Sequence, residues 1–171
     1  MTMTEENDLL FCEEQKFSLW LSFVVLFSMI FAIAIVVFTL TKQALDTLPL
    51  VVTIVCGIIV PIAIVLLFKV AKLETEVRSD ALYIRYFPFH IDYKKFAKED
   101  LSECYARTYK PIREYGGWGI RYSFRKGRGK AYNLSGNKGV QLVFKNGKRL
   151  LIGSHKPDEL AEAINSIMKS P

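Results

Sequence analysis

Two long apolar runs dominate the first 70 residues, and a period-two pattern replaces them afterwards. From Phe17 to Thr41 there are 25 consecutive residues without Asp, Glu, Lys, Arg or His, and from Thr47 to Phe68 another 22. Helices of these lengths would be ~37 and ~33 Å long at ~1.5 Å per residue, enough to cross a hydrocarbon core of ~30 Å. A soluble core helix rarely stays free of charge for so many turns, because its outer face needs polar residues. The pattern predicts two transmembrane helices, about 17–41 and 47–68. Only Lys42 to Asp46 separate them, so they form an antiparallel hairpin (17–70) with both ends on one side. A cleaved signal peptide is excluded by residues 1–16, which carry five acids and one lysine instead of a basic leader. Gly57 and Pro61 predict a bend in the second helix.

After Leu73 the chain alternates. In DALYIRYF, Leu82, Ile84 and Tyr86 share one face, and in GIRYSF, Ile120, Tyr122 and Phe124 alternate with Arg121, Ser123 and Arg125. Further strands are expected at Glu74–Arg78, His90–Tyr93, Leu101–Tyr109 and Lys130–Leu134. GVQLVF and KRLLIGS, joined through Lys145-Asn146-Gly147, read as a β-hairpin with a type I′ turn, burying Val140, Leu142, Phe144, Leu150 and Ile152 on one face. The final segment changes period: Leu160, Ile164 and Ile167 recur at helical spacing, with Pro157 in the first turn and Lys169 near the end. Such a helix must cover an open end or face of the sheet.

Charge sharpens this division. The whole chain carries +6, but from Lys69 onward 21 Lys and Arg stand against 11 Asp and Glu. Lys16, Lys69, Lys72 and Arg78 flank the outer ends of the hairpin and only Lys42 lies in its loop. The positive-inside bias therefore predicts a two-pass inner (cell) membrane protein with an acidic cytoplasmic leader (1–16) and a cytoplasmic domain (73–171). Neither apolar run holds an ionisable residue, so no proton relay or ion site is expected within them. The three cysteines, Cys12, Cys56 and Cys104, and the two histidines have no metal-ligand spacing, and no metal or cofactor is expected.

The strings LETEV, GNKGVQLVFKNGKRLLIGS and PDELAEAI, following a membrane hairpin, resemble bacterial pleckstrin-homology-like domains. The resemblance covers about Leu73 to Met168. It implies an α+β membrane protein: a two-helix transmembrane hairpin, then a seven-stranded, partly open β-barrel or pair of orthogonal sheets capped by the C-terminal helix. No phosphoinositide signature can be carried across, because Val77-Arg78-Ser79-Asp80 is not a basic cluster.

No enzyme motif emerges. Gly127, Gly129 and Lys130 fail the phosphate-loop spacing, and Gly116, Gly117 and Gly119 fail the dinucleotide pattern. Ser154 beside His155 reads as the turn entering the last helix. The dense basic loop RKGRGK supplies the contact candidates Arg125, Lys126, Arg128 and Lys130, joined by Trp118 within the glycine-rich EYGGWGIR. Two functional readings stand beside the lipid bilayer itself. One is a non-enzymatic, membrane-anchored module binding a protein partner. The other is a sensor of anionic lipid head groups, in which each Lys or Arg near the surface contributes roughly 1 kcal/mol. An enzyme with an unrecognised site is a third class. Nucleic acid is disfavoured, because the aromatics near the basic loop alternate as core residues. The oligomeric state is left open.

Overall fold

A computed structural model describes residues 8–17, 19–42, 51, 55, 59–123, 127 and 129–170 of the 171. The chain forms two compact units, 1–16 with 72–171 and 17–71.

In the second of these, α1 spans Leu19–Lys42 and α2 Val60–Val70. Pro61 lies in the first turn of α2, where its missing N–H costs nothing. Phe17 and Phe68 meet edge to face, with ring centroids 4.8 Å apart. Among the described residues no helix is long and apolar enough to cross a membrane. The expected transmembrane hairpin, and with it the membrane fold class and the two-pass inner-membrane placement, is corrected on that finding. Helix α2 itself is 11 residues long, ~16 Å of rise against the ~30 Å needed. The expected reversal at 43–46 and Gly57 lie outside the described residues.

The other unit is mostly β-sheet. The first sheet is an antiparallel meander of β1 (Leu9–Lys16), β2 (Lys72–Arg78), β3 (Ala81–Phe87) and β4 (Lys94–Ala97). The second has the order β5-β8-β9-β7-β6, built from β5 (Leu101–Thr108), β6 (Gly119–Tyr122), β7 (Lys130–Asn133), β8 (Lys138–Phe144) and β9 (Arg149–Gly153). Nine strands in two sheets among the described residues replace the expected seven-stranded barrel. The pair β7–β9 is parallel and the other pairs are antiparallel.

Residues 9–16, read from sequence as part of a leader, are an edge strand. Lys16 stands opposite Lys72, so the chain leaves the sheet at β1 and re-enters it beside the same point. The strand expected at His90–Tyr93 is a turn, and pairing with β3 begins at Lys94. In the β8–β9 hairpin, Gly147 N–H donates to the Phe144 carbonyl at 2.8 Å. Only Gly147 takes a positive φ (77°), which is a type I turn closed by a left-handed glycine and not the expected type I′ turn. The expected pairings do form: Val140 faces Ile152 and Leu142 faces Leu150, all buried.

Both faces of the second sheet are covered. On one, the C-terminal helix α4 (Pro157–Lys169) buries Leu160, Ala161, Ile164 and Ile167, and Asn165 donates to the Cys104 carbonyl on β5. On the other, the short helix α3 (Pro111–Tyr115) brings Tyr115 against Tyr109, Ala131 and Leu151. Gly116 ends α3 in the left-handed region at φ 73°, so the glycines of EYGGWGIR first stop a helix and then start β6.

Candidate anion-binding cleft

A β-strand sends alternate side chains to opposite faces, and two lysines here share a strand face with buried neighbours, Lys94 itself exposed and Lys130 half-buried. On β4, Lys94 pairs with Ile84 and Phe96 with Leu82, both fully buried, whereas Lys95 faces outward to Asp80. On β7, Lys130 pairs with Leu150 and Tyr132 with Ile152, again at buried neighbours. The sheets accommodate both lysines at a cleft of about 440 Å³ between β4 and the β7–β9 side of the second sheet.

The floor of the cleft is aromatic. Phe96 and Phe144 lie 5.8 Å apart between ring centroids, and the buried Tyr132 ring lies beside them. Its rim is basic: the hairpin turn after Phe144 brings Lys148 and Arg149 to the opening, next to Asn146. That turn is fixed by Lys145 N–H, which donates to the Asp100 carbonyl at 2.9 Å, and by Lys148 N–H, which donates to Asn146 Oδ1 at 3.0 Å. Gly129, at φ 73°, lets the chain run hard against β9, since a Cβ there would meet the Arg149 carbonyl.

Among the described residues of the β-unit, some cations are paired with an acid and others are not. Lys72, Arg78, Arg85, Lys95, Arg107 and Lys156 each contact a carboxylate. Among the described residues, Lys94, Lys130, Lys148 and Arg149 make no such pair, and Asp100 is the one acid in the lining. Lys130 Nζ sits 4.5 Å from the Tyr132 ring centroid and 5.3 Å from that of Tyr122. Lys94 Nζ donates to the Tyr132 hydroxyl at 3.4 Å and lies 5.9 Å from its ring. Burial opposes the charge on Lys130, but its contacts with the Tyr132 and Tyr122 hydroxyls outweigh that, and its pKa is raised. His90 packs edge-on against Tyr132 at 5.6 Å. Burial, then the charges of Lys94 and Lys130, lower its pKa, so it is neutral at pH 7.

Of the residues singled out from sequence, Lys130 lines this cleft. Arg125, Lys126 and Arg128 lie outside the described residues. Trp118 is 40% exposed, and its Nε1–H donates to the Gly136 carbonyl at 2.9 Å. It precedes Gly119, which pairs with Asn133, whereas Lys130 pairs with Tyr122 at the far end of the same ladder. The structure therefore does not bring Trp118 and Lys130 together. Tyr122, expected inside, is exposed. Lys94, Lys148 and Arg149 were not singled out, because period two gives a lysine's face but not what lies across from it.

Ser154 plays the turn role expected of it. Its hydroxyl donates to the Glu13 carboxylate and accepts from Lys156 N–H at 2.9 Å, just before α4. His155 Nε2 lies 3.3 Å from Ser135 Oγ on the surface. In the helical unit, a second cavity of about 330 Å³ is lined by apolar side chains and Lys69.

Two sheets and a closing helix define a β-rich domain with a basic, aromatic-lined cleft. The chain belongs to the family of unknown function DUF6141, which matches residues 5–170. It matches no curated protein and no solved structure.

Proposed function

We propose that the β-rich unit is a non-enzymatic interaction module that receives an acidic group of a protein partner in this cleft. The observation that carries the reading is the set of four cations, Lys94, Lys130, Lys148 and Arg149, that face a 440 Å³ opening without a carboxylate partner among the described residues. Charge left uncompensated beside a low-dielectric aromatic floor attracts an anion more strongly than the same charge in open water. Hydrogen bonds from an ammonium or guanidinium to an oxyanion are roughly twice as strong as neutral ones.

Fluorescence anisotropy of a labelled hexaglutamate peptide on the intact chain tests this. The peptide is expected to bind, to weaken steeply as salt rises, and to lose at least tenfold in affinity in the double variant K148E/R149E. Both residues are exposed turn and strand-end positions, so the variant retains the fold. Unchanged affinity in K148E/R149E would sink the proposal.

A further inference from the structure

We infer that the cleft is built for a phosphomonoester carried on a planar ring, a ligand class that rests on the anion-binding reading above and narrows it. Lys94 from β4 and Lys130 from β7 converge on one phenol, Tyr132, from two different sheets. An oxyanion seated at the Tyr132 hydroxyl would meet both ammonium groups at once, with Lys148 and Arg149 at the rim. Four positive charges stand against the single Asp100. A carboxylate brings one negative charge and leaves most of that surplus in place. A phosphomonoester brings about −1.5 to −2 at pH 7 and three acceptor oxygens, enough to engage both lysines together.

The rest of the lining selects what the phosphoryl group is attached to. Phe96 and Phe144, tilted by 47° at 5.8 Å, form an apolar step beside the lysines, continued by Leu150. Aromatic rings attract further rings in offset or edge-to-face arrangements. A ligand with its phosphoryl end at Tyr132 and its ring over Phe96 and Phe144 uses both halves of the cleft, which inorganic phosphate cannot do. The volume of about 440 Å³ falls within the range of small-molecule sites.

Calorimetric titration of the intact chain with phenyl phosphate, inorganic phosphate and benzoate is the test, with the His90 imidazole resonances followed by NMR. Phenyl phosphate is expected to bind at least tenfold tighter than either of the others. K94Q and K130Q, which remove the two ammonium groups beside Tyr132, are expected to weaken it tenfold or more. The His90 pKa, held down by burial and then by the charges of Lys94 and Lys130, is expected to rise on binding as the phosphate compensates those two charges. Equal affinity for phenyl phosphate and benzoate, or indifference to K94Q and K130Q, would overturn the inference. If hexaglutamate binds and phenyl phosphate does not, this inference fails and the interaction module stands; if neither binds, both fail. A phosphotyrosine peptide and adenosine monophosphate, whose planar base is held one ribose away from its phosphate, present a phosphomonoester and a ring from two sources. Tighter binding of the peptide supports a protein source, and tighter binding of the nucleotide supports the ligand class while removing the protein partner.

Discussion

Glu74 shows what pairing does to a charge in this protein, and so why the unpaired lysines matter. It is 7% exposed on β2 and accepts from Arg85, Lys72 and the Tyr93 hydroxyl. Burial alone would raise its pKa, but those donors outweigh it and hold the carboxyl at about 2, against an ordinary value of 4.5. A group whose folded pKa is depressed contributes stability above its unfolded pKa and loses it as pH falls through the folded one. The melting temperature is therefore expected to drop between about pH 5 and pH 2, and to drop less in E74Q. At neutral pH, E74Q leaves Arg85 short of its counter-charge and costs about 1–3 kcal/mol by chemical denaturation. Gly129→Ala is expected to cost a similar amount, about 1–3 kcal/mol, because it places a side chain at φ 73° against the Arg149 carbonyl. An intact melting transition in that variant would show that the close approach of β7 and β9 is not tight. Trp118→Ala, in contrast, removes one surface hydrogen bond and should shift stability by no more than ~1 kcal/mol.

At the scale of elements, β1 is the strand the sequence concealed. The string LLFCEEQK places Phe11, Glu13 and Gln15 on one face, so two of three inward positions are polar and no apolar alternation is visible. They are inward because each has a partner far along the chain. Gln15 Nε2–H donates to the Gly153 carbonyl at 2.6 Å, and Glu13 accepts from the Ser154 hydroxyl and from His155 N–H at 2.8 Å. Glu13 thus does from β1 what a local acidic residue would do at the entry to α4, where negative charge is favoured. Glu13→Ala is expected to destabilise the domain by about 1–3 kcal/mol and to raise amide exchange in both β1 and the first turn of α4. A loss of protection confined to β1 would show that the two are uncoupled. The strands β3, β8 and β9 and the helix over Leu160, Ile164 and Ile167 were readable directly from their apolar positions, although β8 and β9 are buried on both faces and only β3 alternates. The misplaced strand at His90–Tyr93 was not: Pro88 precedes it, and the pairing that selects Lys94 instead comes from Ala81 to Ile84 on β3.

The whole molecule carries its excess positive charge from Lys69 onward, and this much is plain from sequence. Which cations remain uncompensated is a property of three-dimensional pairing. Lys94 and Lys95 are neighbours in the chain, yet one reaches Asp80 on the outer face and the other enters the cleft. Lys148 and Arg149 follow an Asn-Gly turn that was readable, but the turn's position beside β4 depends on Lys145 bonding to Asp100. The candidate site was therefore legible at one residue, Lys130, and its partners required the register of four strands. The most direct test is an NMR titration of the intact chain with the hexaglutamate peptide, mapping amide and side-chain shifts residue by residue. Shifts concentrated at Lys94, Lys130, Tyr132, Lys148 and Arg149 are predicted. Shifts confined to the outer face around Glu74 and Arg85, with those five residues unmoved, would contradict the account.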